Sequence, residues 1–225
     1  MDSQYENELR TLQMRFIGKI IAGFTHEIKN YIAIINESNG LIGDMMKLGK
    51  SPENELPVYL DIIHSIEDYI EKTTGHFRYL NRFAHRMDAP LSSFHINESL
   101  EELIALINRF ANQKRISFKQ GYDNDMPPVY SNPSLLQLII FTFVEKNIME
   151  LEQDSTITMQ TAVADKSVLI TIIPNGKRVE GSSAPIPTEL LDIIIKELGG
   201  NISPDRGKNT VIMLPLTSSS MSQAT

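Results

Sequence analysis

The sequence predicts an α+β protein: a helical hairpin that pairs with a second copy as a dimeric four-helix bundle, followed by an α/β sandwich. Three observations carry this. Apolar side chains fall at Ile17, Ile21, Phe24, Ile28, Tyr31, Ile35, Ile42 and Met45, in steps alternating four and three with Ser38 in the one gap, which is an a/d heptad seam. Leu56, Leu60, Ile63, Ile66, Ile70, Thr73, Phe77, Leu80, Ala84 and Met87 repeat that spacing after a stop and turn at Leu48-Gly49-Lys50-Ser51-Pro52-Glu53-Asn54. Past Ala89-Pro90 the long period gives way to short strands and shorter helices.

Taken in order, the first helix covers residues 4–47 and is about 65 Å long at 1.5 Å per residue. The second covers 56–88. A short turn between long helices makes an antiparallel hairpin, which leaves its seam with one partner; two hairpins close a core, so a homodimer is expected. Beyond the hairpin, Asn97 is expected to cap a helix running to 112. Residues 115–120 read as a short strand, and Met126-Pro127-Pro128 as a turn. Asn132-Pro133 opens an apolar helix to 151, with Pro133 in its first turn. Residues 156–163 and 168–173 are strands joined by a hairpin at Ala164-Asp165-Lys166. Pro187 starts a helix that stops at Gly199-Gly200, and 209–216 is a closing strand. These strands make one mostly antiparallel sheet. The expected division is 1–90 for the hairpin domain, 91–217 for the sandwich and 218–225 for a Ser-rich disordered tail.

Composition narrows the function. Hydrophobic residues make up 41% of the 225, enough for a folded core. A net charge of −7 without a basic stripe argues against nucleic-acid partners. The absence of cysteine excludes disulfides, thiolate zinc sites and a cysteine nucleophile. The longest apolar run, 135–144, is interrupted by Gln137 and Thr142 and falls short of the roughly 18–20 residues of a membrane span. The acidic, polar start does not read as a secretory signal. The expectation is a cytoplasmic protein with no membrane span.

The chemistry centres on His26. With Ile21 and Ile28 at a and Phe24 at d, His26 falls at f, opposite the bundle core, where a neutral ring nitrogen can attack phosphorus. Glu27 stands beside it to orient the ring or take a proton. Asn30, four residues on, shares its face and can position a water or a phosphoryl oxygen, and Lys29 adds a nearby cation. An exposed histidine alone says little, and His64, His76, His85 and His95 are read as having no role.

The segment Gly23-Phe24-Thr25-His26-Glu27-Ile28-Lys29-Asn30 resembles the phosphoacceptor box of sensor histidine kinases. Leu80-Asn81-Arg82-Phe83-Ala84 resembles the end of that family's second helix, and Phe94-His95-Ile96-Asn97-Glu98-Ser99-Leu100-Glu101-Glu102 the start of its ATPase domain. Pro127-Pro128-Val129-Tyr130-Ser131-Asn132-Pro133 with Leu136 resembles the entry to its magnesium-binding helix. Leu198-Gly199-Gly200-Asn201-Ile202 and the strand from Thr210 resemble its closing segments. The resemblance spans residues 15–216 and implies that family's bundle and ATPase-domain fold, with His26, Glu27 and Asn30 as catalytic residues.

The departures matter as much. The metal-binding Asn of the family falls on Glu145 or Lys146 here, and Asn147 is one or two places off, about 100–200° around the helix. In Pro174-Asn175-Gly176-Lys177-Arg178, Pro174 replaces an Asp and has no side-chain acceptor. Arg178 replaces a Gly and adds bulk where backbone should approach a ligand. The lid segment Glu180-Gly181-Ser182-Ser183-Ala184-Pro185-Ile186-Pro187 lacks the family's Gly-x-Gly, and only Gly207-Lys208-Asn209-Thr210 remains of the last glycine motif. The chain therefore resembles the dimeric histidine phosphotransferases of bacterial phosphorelays, which implies no cofactor of its own, no ATP, and magnesium supplied by the partner. The implied partners are response-regulator receiver domains, an upstream histidine kinase and a second copy of the chain. Phe16, Ile20 and Gly23 are expected to dock the receiver's helix. Two alternatives stay open: an active histidine kinase that labels His26 from ATP, and a non-enzymatic regulator that binds receivers.

Overall fold

The computed structural model describes residues 3–48, 52–179, 187–204 and 209–216. The expected turn at Gly49-Lys50-Ser51, the segment 180–186, Gly207-Lys208 and the expected disordered tail 218–225 lie outside these residues. Two long helices come first, α1 (Ser3–Lys47) and α2 (Pro52–His85). Ring pairs show that they run antiparallel. Phe16 meets Phe83, Phe24 meets Phe77 and Tyr31 meets Tyr69, at centroid distances of 5.4, 5.1 and 5.6 Å. α2 starts four residues before the sequence expectation because Pro52 suits a first helical turn. Pro57 stands inside it and removes one backbone hydrogen bond.

Then follow β1 (Ser92–Phe94), α3 (Ile96–Gln113), β2 (Ser117–Gly121), β3 (Val129–Ser131), α4 (Pro133–Glu150), β4 (Thr156–Ala164), β5 (Ser167–Asn175), α5 (Thr188–Glu197), β6 (Asn201–Pro204) and β7 (Thr210–Pro215). The main sheet has the order β2-β4-β5-β7-β6, with β2 parallel to β4 and the other pairs antiparallel. β1 and β3 form a separate antiparallel pair that the sequence reading missed. At three residues each, they are too short to show alternation. On the main sheet, Ile157, Met159, Val168, Ile170, Ile172, Ile212 and Leu214 are buried against the helices. The α/β layer architecture expected from the sequence is therefore present.

The start of α4 follows the sequence: Asn132 accepts a hydrogen bond from the Leu135 amide at 3.1 Å, and Pro133 stands in the first turn. Asn97 does not cap α3. His95 holds the cap position without a side-chain bond. Asn97 instead donates to the Asp123 carbonyl at 2.8 Å and accepts from the Thr161 hydroxyl at 2.9 Å, so tertiary partners outcompete the local cap.

The first helix buries Phe24, Ile28 and Met45 of the expected seam, together with Phe16 and Ile20 outside it. Phe16, Ile20, Phe24 and Ile28, spaced by four, are nearly fully buried, whereas Ile21 is half exposed. Phe16 packs between Phe83 of α2 and Phe141 of α4. Side chains of this kind contribute about 1.5–3 kcal/mol each when fully buried, so the row fastens α1 to α2, through Phe24 on Phe77, and to the α/β region, through Phe16 on Phe141. This overturns the expected receiver-docking surface: Phe16, Ile20 and Gly23 are covered from within the chain. On α2, Leu56, Ile63, Ile70 and Phe77 recur every seven residues and are 42–55% exposed.

The junction between the hairpin and the α/β region is polar and closed. Arg86, just past α2, donates to both carboxylate oxygens of Glu102 on α3, at 2.6 and 2.8 Å. Glu102 is 1% exposed, and a buried carboxylate is stable only with a partner of this kind.

Candidate functional site

His26 stands on α1 with its side chain exposed, as the heptad position requires. It does not face open solvent on every side. α3 brings Arg109 against it, and a guanidinium N–H of Arg109 donates to Nδ1 of His26. The same guanidinium lies 3.9 Å from Oε2 of Glu27. The other Glu27 oxygen accepts from the Tyr31 hydroxyl at 3.1 Å, one helical turn on. Burial first, then the Glu27 charge and hydrogen bond, and last Tyr69, push the Tyr31 phenol up to about 12. The His76 ring of α2 packs edge to face with Tyr31, with centroids 5.3 Å apart. Glu27, Tyr31, His76, Asn108 and Arg109 line a cleft of about 230 Å³ between the first three helices.

Close approach of α3 to α1 depends on Gly23. A Cβ at this position would meet the Phe110 ring at 3.1 Å and the Leu106 carbonyl oxygen at 3.3 Å. A glycine three residues before His26 thus lets α3 settle close enough for Arg109 to reach the imidazole.

Of the residues singled out from the sequence, His26 and Glu27 are brought together around Arg109. Asn30 and Lys29 are exposed, and among the described residues no hydrogen bond joins Asn30 to His26. Sequence reasoning missed Arg109, which is 83 positions from His26. Tyr31 lies on the expected seam, and His76 is among the histidines for which the sequence indicates no role. The four-residue step from Glu27 to Tyr31 was a usable signal; nothing in the sequence pointed to Arg109. His85 contacts Asp88 at 2.7 Å on the surface, away from this cluster.

The second region lies between α4 and the end of β5. α4 turns Glu145 toward α1, where it pairs with Lys19 and lies 4.0 Å from Arg15. Lys146 lies 3.7 Å from Glu150. Asn147, set aside by register counting, is the residue that faces segment 174–178. Its Oδ1 accepts from the Arg178 guanidinium at 3.3 Å, and its amide donates to the Phe143 carbonyl at 2.8 Å. Arg178 also donates to Glu150 at 2.8 Å. A fixed cation therefore sits between an amide oxygen and a carboxylate, a pair that could otherwise ligate a metal ion. Gly176, at φ +153, keeps a position without Cβ because one there would strike the Ser155 hydroxyl.

No protein-family model matches the chain. The chain is 26% identical over 165 residues to sporulation kinase E of Bacillus subtilis, a match covering 72% of this chain and 21% of that protein. It therefore spans about a fifth of the length of the curated relative it matches. Among solved structures, the catalytic domain of histidine kinase ThkA is 15% identical and covers 57% of this chain and 97% of that one, with a TM-score of 0.49. Histidine kinase AdeS of Acinetobacter baumannii is 14% identical, covering 85% of this chain and 98% of that one, with a TM-score of 0.46. ThkA in complex with the response regulator protein TrrA is 22% identical, covering 96% of this chain and 68% of that one, with a TM-score of 0.45. All three structural likenesses have TM-scores under 0.5, and none says what this chain binds. Among the described residues no helix is long and apolar enough to cross a membrane. The sequence relationship to a sporulation kinase, joined to an ordered phosphoacceptor-box likeness on an exposed helix, makes the chain similar to the core of sensor histidine kinases.

Proposed function

We propose that the chain carries a phosphoryl group on His26 and exchanges it with receiver aspartates of response regulators, without drawing it from ATP. The observation that carries the reading is the exposed imidazole of His26 on a rigid helix, with a carboxylate beside it. In the transfer, an imidazole nitrogen attacks phosphorus, the P–O bond of the receiver's acyl phosphate breaks, and the aspartate leaves as a carboxylate. Glu27, the next residue along the helix, serves as the base for the ring proton. The receiver would supply its own magnesium.

What supports independence from ATP is Arg178. Its charge and bulk occupy the polar pair Asn147 and Glu150, next to a segment whose Pro174 offers no side-chain acceptor. The test is transfer of label from a phosphorylated receiver to this protein. His26 should become labelled, and His26→Gln should abolish the label. Transfer that survives His26→Gln would sink the assignment.

The exposed row on α2 supports a homodimer, since four large apolar side chains at seven-residue spacing suit a helical bundle partner. Ile63→Asp with Ile70→Asp should convert the dimer to monomer in size exclusion with light scattering. A wild-type monomer would refute the dimer.

One observation favours a second reading: the relative matched over 72% of this chain bears the name of a kinase. In that reading His26 takes label from Mg-ATP alone. Calorimetric binding of Mg-ATP in the micromolar range, with labelling of His26, would replace the phosphotransfer reading.

A further inference from the structure

Arginine donates hydrogen bonds and accepts none. When its guanidinium faces Nδ1 of His26, that nitrogen must present its lone pair, and a neutral ring then carries its proton on Nε2. Both nitrogens are engaged: Nδ1 by the arginine and Nε2 by its own hydrogen. Arg109 also stands at Glu27, the base that would otherwise take a proton from Nδ1. Tyr31 holds the other oxygen of Glu27.

We propose that Arg109 is a positioning residue that latches His26 in the tautomer unable to accept a phosphoryl group at Nε2, and that withdrawal of α3 from α1 releases it. With Arg109 gone, the ring proton moves to Nδ1, where Glu27 accepts its hydrogen bond. The lone pair of Nε2 then attacks phosphorus and the donor's leaving group departs with the bonding electrons. The proposal rests on His26 being the phosphoryl carrier, but the latch itself is a statement about one hydrogen bond and can be examined separately.

Two features make the latch local and reversible. His26 is exposed, so nothing besides Arg109 and its own helix need move for the ring to be freed. The approach of α3 at this point is set by the missing Cβ of Gly23.

The experiment uses the full chain in two measurements. The first is the ring ¹⁵N spectrum of His26, assigned with His26→Gln. Wild-type protein should show Nε2 protonated and Nδ1 as acceptor. Arg109→Met, which keeps the apolar stem and removes every donor, should shift the ring toward Nδ1–H, and Arg109→Lys should largely retain the wild-type pattern. The second measurement is phosphorylation by phosphoramidate, whose P–N bond breaks with loss of ammonia as the new P–N bond to His26 forms. Arg109→Met should be labelled about five- to tenfold faster than wild type, the size expected for the net contribution of one hydrogen bond. Gly23→Ala should move both readouts the same way by pushing α3 back.

A wild-type ring protonated at Nδ1 would overturn the latch, as would labelling of Arg109→Met no faster than wild type. If no variant is labelled but the tautomer shifts as stated, the phosphoryl-carrier reading fails while the hydrogen-bond assignment stands.

Discussion

Two arginines occupy the two places where this chain could do chemistry, and they differ in how firmly they are held. Arg109 reaches across from α3 to an exposed histidine and a half-buried glutamate, beside a glycine that sets the spacing. Arg178 is bound to Glu150 and Asn147, both buried, where an unpaired carboxylate would be costly. The first arrangement can open with little loss; the second belongs to the packing. A regulated contact and a permanent filling can thus use the same side chain, and the burial of its partners tells them apart.

Removing each arginine tests that contrast, and the larger effect is expected at Arg178. Arg178→Ala should destabilise the fold by about 2 kcal/mol, because Glu150 loses its closest cation and keeps, among the described residues, Lys146 alone. Urea denaturation of purified protein measures this. A change under about 0.5 kcal/mol would mean the buried pair is no filling at all. Arg109→Met should cost about 1 kcal/mol or less in the same assay, since its partners keep access to water. A cost equal to that of Arg178→Ala would erase the distinction.

The smallest effect should come from Tyr31 and appear only in alkali. Its pKa is raised from 10.0 to about 12 in the fold, so the folded state holds the phenol proton more tightly than the unfolded chain does. The stabilisation is complete below pH 10 and is lost as the pH climbs toward about 12. Tyr31→Phe should remove this component of the alkaline loss. Urea midpoints of wild type and variant below pH 10 and near pH 12 check it; parallel losses in both proteins would rule it out.

The outward face of α1 was legible because period determines face. The heptad spacing put His26 outward, and it is outward. Asn132-Pro133 announced a helix through a purely local capping pattern, and the helix begins there. What could not be read is what depends on distant partners. Phe16 and Ile20 fall outside the heptad seam because that spacing describes a bundle partner, whereas α1 also packs on α4. Asn97 matched a cap pattern but bonds to Asp123 and Thr161. Counting along α4 put the position of the family's metal-binding Asn at Glu145 or Lys146, and gave no sign that Asn147 would bond to Arg178. Arg109 is one of several polar residues on an amphipathic helix, and only the folded chain singles it out.

The double bond from Arg86 to Glu102 pins one point of α3 to the end of the hairpin. Arg109 lies seven residues further along, a lever arm of about 10 Å at 1.5 Å per residue. With Glu102 as the fulcrum, a tilt of about 15° would carry the guanidinium roughly 2.7 Å, enough to break a single hydrogen bond. A small torque delivered along the hairpin would in this way act on a single imidazole.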